Sequence, residues 1–169
     1  DYTTQLVEQL NSEIDSYIFY MENITQMVAD SENSDVINYL FRDNQESEKI
    51  RDRILNQFQV VQETRSDILN IAAVSDSGRS IINRGDAQLN PYVDLAEMPW
   101  YQEVRAAGGE TVVSSSHVQN AIAGSYDWVV TLGKGLVNPE TNEIEGVLFI
   151  DLNYSAISSL CEKINQGDK

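Results

Sequence analysis

The stretch Ile144-Glu145-Gly146-Val147-Leu148-Phe149-Ile150-Asp151-Leu152 decides the fold. Ile144, Leu148 and Ile150 alternate with Val147 and Phe149, so this strand is apolar on both faces. The run before it, Tyr126 to Val137, behaves alike: Tyr126, Trp128, Val130 and Leu132 alternate with Val129 and Thr131. A sheet wetted on one side shows polar residues at every second position. This sheet is therefore expected to be covered on both faces. Asn138-Pro139-Glu140-Thr141-Asn142 joins the two strands as a turn.

Upstream, Ile68 to Val74 is a compact apolar run, followed by the turn signal Asp76-Ser77-Gly78 and by Ser80-Ile81-Ile82. That pattern predicts a hairpin. Thr111 to Val118 is a further strand candidate, which brings the expected sheet to five antiparallel strands. Between hairpin and strand, Asn90-Pro91 opens an irregular stretch that ends in Met98-Pro99-Trp100-Tyr101. Pro99 suits the first turn of a helix running to about Ala107, and Gly108-Gly109 ends it. The segment from about Asp86 to Ala107 is expected to cover one sheet face as a lid and to roof a pocket. Asn153 is positioned to cap a final helix with Ile157, Leu160 and Ile164 inward.

The first third is helical. Val7, Leu10, Ile14, Tyr17, Met21, Ile24 and Val28 recur at steps of three and four, a heptad stripe over three repeats. Two readings stay open: an amphipathic helix laid along its own domain, or one that also pairs with a second copy. Ser34 is placed to cap a short helix carrying Val36, Ile37, Leu40 and Phe41. A third helix from about Gln45 carries Ile50, Ile54, Phe58 and Val61 on one face. The expected architecture is α+β: a helical stalk over residues 1–64 packed on a five-stranded antiparallel sheet, with a loop-helix lid and a C-terminal helix. Residues 65–169 form the sheet part of the same domain.

At 169 residues the chain suits one sizeable core. Eleven Lys and Arg against 27 Asp and Glu give a net charge of −16. Such a surface does not neutralise phosphates, so nucleic acid is excluded as a partner, and anionic lipid is disfavoured. The one cysteine, Cys161, cannot close an intrachain disulfide or build a zinc site. No apolar run approaches the length that spans a bilayer. The chain opens on Asp1-Tyr2-Thr3-Thr4 without an initiator Met, and is expected to be a processed or excised piece of a longer protein.

The order of these features resembles a Cache domain, the PAS-like extracytoplasmic sensor module of bacterial histidine kinases and chemoreceptors. Trp100-Tyr101 and the strand Gly146-Val147-Leu148-Phe149-Ile150-Asp151 carry most of the match, which covers roughly residues 66 to 160. In the amino-acid-binding branch of that family, an Arg two residues before the Trp clamps the ligand carboxylate. Met98 stands there in this chain, so that clamp is absent. The family's next-strand Tyr and Asp correspond to His117 and Gln119, and its amine-binding Asp corresponds to Asp151. The resemblance implies a ligand-sensing ectodomain of a membrane-bound receptor, a histidine kinase ahead of a chemoreceptor. It implies a small polar ligand, amine, amino-acid-like or sugar-like. No cofactor, metal or enzymatic activity is expected of this fragment. The alternative is a dimerisation module with a vestigial pocket.

Each candidate residue has a structural reading beside the functional one. Trp100 and Tyr101 present an apolar body with a polar tip, which serves a ligand or a core equally. His117, the only histidine, either faces the pocket with Gln119 or sits half-exposed on an edge strand. Tyr126-Asp127 offers a carboxylate at a strand mouth, or a solvated terminus. Asp151 anchors a ligand amine or caps the following helix. Tyr92 and Asp94 lie in the lid loop. An enzymatic reading fares badly: a triad would need His117, and Ser116 beside it points to the opposite face. Gly133-Lys134-Gly135 lacks the context of a phosphate loop.

Overall fold

The structure, a computed structural model, describes residues 1–29, 31, 33–43, 45–83, 87–124 and 126–155. Three helices come first: α1 (Tyr2–Val28), α2 (Asp35–Phe41) and α3 (Ser47–Thr64). A hairpin follows, β1 (Ile68–Ser75) and β2 (Ser80–Ile82), turning through Gly78 at φ +95°. After the lid loop, with a 3₁₀ turn at Leu95–Glu97, comes α4 (Pro99–Ala106). The chain then forms β3 (Val112–Val113), β4 (His117–Val118), β5 (Trp128–Asn138) and β6 (Glu143–Asn153).

The strands form one antiparallel sheet in the order β2-β1-β6-β5-β3, with β4 also paired to β5. The single strand expected over Thr111 to Val118 is thus divided, and the five expected strands become six among the described residues. The division has a local cause. Ser114 keeps the pairing through its backbone N–H to Thr131 O at 2.8 Å, and its hydroxyl accepts from Thr131 N at 2.9 Å. Exposed Ser115 and Ser116 then carry the chain out of register before His117 pairs with Val129. At the other end of the loop, Tyr126 and Asp127 precede the strand, which begins at Trp128.

Both faces are covered, as the two-sided apolar strands require. On one face Met21 and Ile24 of α1, Ile37 and Leu40 of α2, and Ile54 and Phe58 of α3 pack on Ile71, Leu132, Leu148 and Ile150. On the other, Trp100, Tyr101 and Val104 of α4 pack with Ala121 and Ile122 on Ala72, Val74, Val147 and Phe149. The alternation of β6 sorts its residues between the two layers: Leu148 and Ile150 to the helices, Val147 and Phe149 to the lid.

The heptad stripe divides as well. Tyr17, Met21 and Ile24 are buried, whereas Leu10 and Ile14 are half-buried and Val7 is exposed. Only the second half of α1 is therefore committed to this core. Glu22 fastens that half to the sheet, accepting from Lys134 Nζ at 2.6 Å and Thr111 Oγ1 at 2.5 Å. Those two bonds, with Lys134 first, hold its carboxyl below the usual range. Near the start of β1, Tyr17 donates to Asp67, and Arg65 lies over the Tyr17 ring at 4.6 Å. Ser34 stands at the N-cap of α2 as expected, yet its hydroxyl makes no capping bond. The expected inward residues of the final helix, Ile157, Leu160 and Ile164, lie outside the described residues. Among the described residues no helix is long and apolar enough to cross a membrane.

The lid helix comes close to the sheet because β5 carries a glycine beneath it. A Cβ on Gly133 would sit 2.5 Å from Val104 Cγ2. Gly133→Ala is expected to lower stability by about 1–3 kcal/mol through overpacking. In a Val104→Ala background the same change should cost much less, as urea unfolding of the four proteins of this cycle would show.

Candidate functional site

Sheet register builds the site. Asn70 on β1 pairs with Asp151 on β6, which pairs with Thr131 on β5. Three polar side chains therefore stand side by side on the lid face of three adjacent strands. Gln119, just beyond β4, reaches the same point. All four residues are fully buried.

Asp151 is the centre of this group. Its carboxylate accepts from Thr131 Oγ1 at 2.6 Å, from Asn70 Nδ2 at 2.8 Å, and from Gln119 Nε2 at 3.0 and 3.1 Å. Among the described residues all its hydrogen-bond partners are neutral dipoles. Burial pushes the carboxyl above its ordinary pKa; the bonds from Thr131, Asn70 and Gln119 and the nearby His117 offset that only in part. The alternative role of Asp151 as a helix cap is not the one observed. Asn153 serves the segment that follows, its Oδ1 accepting from Ser155 N at 2.9 Å. The physical reason is parity: Asp151 falls on the buried lid face of β6, and Asn153 lies at its end.

The lid closes over this group with aromatic rings. Trp100 stacks on His117, with ring centres 5.7 Å apart and planes 16° from parallel. It also meets Phe149 edge-on at 4.9 Å. His117 Nε2 lies 2.8 Å from Thr131 Oγ1, so the half-buried imidazole joins the same network. Three atoms around these residues have no partner among the described residues: Trp100 Nε1, Asn70 Oδ1 and Asn83 Nδ2. Trp100 and Asn70 thus bring an unmet donor and an unmet acceptor to the lid layer.

Tyr101 points the other way along α4. Its hydroxyl donates to Asp76 Oδ1 at 2.9 Å, and Arg105 pairs with Asp76 Oδ2 at 2.9 Å, tying α4 to the β1–β2 turn. Burial, and then the bond to Asp76, push the phenol upward. Beside it lies a cavity of about 410 Å³ between that turn, the lid loop at Leu89, Val93 and Leu95, and Ala121. Ala121 N donates to Gln119 Oε1 at 3.2 Å, so the cavity wall touches the Asp151 group through one amide. Met98, where the resemblance places a cationic clamp, is half-buried in the apolar lid packing.

Of the residues expected at the site, Trp100, His117, Gln119 and Asp151 come together, and Tyr101 lines the adjoining cavity. Tyr92 is 94% exposed and Tyr126 61% exposed, both outside the group. Asp127 is exposed and contacts the group through its backbone, its carbonyl accepting from Gln119 N at 2.9 Å. Asp94 caps the 3₁₀ turn, accepting from Ala96 N at 3.0 Å on the cavity rim. Asn70 and Thr131 are the members that the sequence reading missed. Each is a polar residue inside an apolar strand run, and that mismatch was the available signal.

No family model and no curated protein matches the chain. Solved structures do. The sensory domain of the Campylobacter jejuni chemoreceptor Tlp3 with isoleucine bound aligns with a TM-score of 0.66 at 17% identity, over 94% of this chain and 58% of that one. The ligand-binding domain of the Pseudomonas aeruginosa amino acid chemoreceptor PctC in complex with GABA gives 0.67 at 14% identity, over 94% and 64%. That of the Pseudomonas fluorescens chemoreceptor CtaA with L-isoleucine gives 0.62 at 12%, over 93% and 56%. The expected Cache-like fold is therefore the observed one, and at these identities the likeness is one of fold. The chain spans between 56% and 64% of the length of these domains.

The raised Asp151 carboxyl sets the sign of a pH effect. A folded-state pKa above the unfolded value contributes stability below the unfolded pKa that is lost as pH rises through the folded one. Relative to Asp151→Asn, the parent protein should thus lose stability as pH rises from the ordinary aspartate range through the raised value. Urea unfolding of both proteins across that window would read the difference.

Proposed function

We propose that this chain is the ligand-sensing domain of a membrane-bound bacterial receptor, facing outside the cytoplasm, and that it binds a small polar molecule between sheet and lid. The carrying observation is the buried Asp151 carboxylate beneath the lid helix that bears Trp100, with a donor on Trp100 and an acceptor on Asn70 that are unmet among the described residues. Buried polar atoms without partners are costly, and a ligand that supplies the partners recovers that cost. Asp151 with Gln119 suits an ammonium group, and Trp100 Nε1 suits an acceptor. Met98 in place of a clamp means that a ligand carboxylate is not required. Tyr101 and the adjoining cavity take the body of the molecule, with Tyr92, Tyr126 and Asp127 at the periphery.

Signal would leave through α1. The lid helix α4 continues through Gly108-Gly109 to Thr111, which bonds Glu22 of α1. A shift of the lid against the sheet then bears on the helical stalk of residues 1–64. A ligand biases such a shift only through its differential affinity for the two states. The solved neighbours are chemoreceptor domains, a likeness of fold that is compatible with either output, histidine kinase or chemoreceptor. Along the first half of α1, Val7 is exposed and Leu10 and Ile14 are only half-buried, which keeps the dimerisation reading in view.

Thermal unfolding with n-butylamine, GABA and L-valine tests the ligand reading. At least one amine is expected to raise the midpoint of the parent protein, and Trp100→Ala is expected to abolish that rise. A stabilising compound that acts equally on Trp100→Ala binds elsewhere, and the proposed site is then wrong.

A further inference from the structure

Asp151, Thr131 and His117 form a continuous hydrogen-bonded chain. Thr131 Oγ1 lies 2.6 Å from Asp151 Oδ1 and 2.8 Å from His117 Nε2, and His117 Nδ1 lies 3.2 Å from Val118 O. One end is fully buried and the other half-buried. A threonine hydroxyl donates once and accepts at its lone pairs, so it can carry this chain in either direction.

Both directions leave every member satisfied. With Asp151 protonated, its O–H donates to Thr131, the Thr131 hydroxyl donates to the lone pair of His117 Nε2, and Nδ1–H donates to Val118 O. With Asp151 ionised, Nε2–H of the imidazolium donates to Thr131, and the Thr131 hydroxyl donates to the carboxylate. Passing from the first state to the second breaks O–H at Asp151 and forms one at Thr131. It breaks the former Thr131 O–H and forms N–H at His117. No heavy atom has to move.

We infer that Thr131 relays a proton between buried Asp151 and half-buried His117, so that a cationic ligand bound at Asp151 is taken up with release of a proton through the imidazole. The second clause rests on the proposed role of Asp151 as ligand anchor; the relay itself does not. Trp100 from α4, Asn70 from β1, Phe149 from β6 and Gln119 are not ionisable in the neutral range. Tyr101 faces Asp76, whose charge Arg105 compensates at the other end of α4. Asp127 stands exposed at the approach to β5. Burial of Asp151 raises the cost of its charge, and the relay gives that proton a route past the lid.

Because His117 is the only histidine, its ring proton resonances report on the relay without ambiguity. In a pH titration of the ligand-free protein, they should show two inflections, the signature of coupled sites. Thr131→Val and Asp151→Asn should each reduce the curve to one, while Thr131→Ser, which keeps the hydroxyl, should retain both. A single inflection in the parent protein, or an unchanged curve in Thr131→Val, overturns the relay. Calorimetry with n-butylamine in phosphate and Tris buffers reads the second clause: up to one proton released, and affinity rising about tenfold per pH unit below the Asp151 inflection. Absence of amine binding beside an intact two-step titration overturns the ligand reading and spares the relay; proton-neutral binding overturns the coupling.

Discussion

A carboxylate held among apolar strands, whose hydrogen-bond partners among the described residues are all neutral dipoles, has to be compensated group by group, and the lid face of this sheet is arranged around that requirement. Asp151 gathers donors from β1, from β5 and from the loop after β4. Those donors exist at the right place only because antiparallel register sets Asn70, Asp151 and Thr131 abreast. Moving any of the three strands by one residue would turn its polar side chain into the helical layer. The polar group therefore specifies sheet register as much as the apolar layers do.

Around that centre the two faces of the sheet divide their tasks. The helical face is a large apolar core in which α1, α2 and α3 pack on four strands. The lid face is thinner and mixes aromatic packing with the polar group. α4 approaches closely over Gly133 and is held to the β1–β2 turn from both of its ends, by Tyr101 in its first turn and Arg105 in its last, each on Asp76. The same first turn carries Trp100, whose stacking partner His117 belongs to a two-residue strand.

Much of this was legible from residue order. Two-sided apolar strands demanded a covered sheet, Pro99 marked the lid helix, and Trp100, His117, Gln119 and Asp151 were singled out before any geometry. What escaped had identifiable causes. Asn70 and Thr131 gain their role only from partners 81 and 20 residues away, which a local pattern does not display. The division of the strand over Thr111 to Val118 depends on Ser114 using its hydroxyl on Thr131 N while Ser115 and Ser116 leave the ladder. Asp151 was balanced between cap and anchor because strand parity alone does not say how far a strand runs. The heptad stripe of α1 is uniform in sequence and uneven in burial, since the sheet beneath it covers only its second half.

The indole N–H of Trp100, unmatched among the described residues, has a consequence for discrimination at the proposed site. A pocket whose own polar atoms are already satisfied ranks ligands mainly by shape and apolar area. One that holds an unmet donor in reserve favours an occupant that meets it over one of the same size that does not. An unmet buried hydrogen bond costs about 1–3 kcal/mol, or roughly five- to 150-fold in binding. Selectivity of this kind is a reward for completion: at the proposed site, molecules of the right size but without an acceptor at that point forgo the gain that a matching molecule realises.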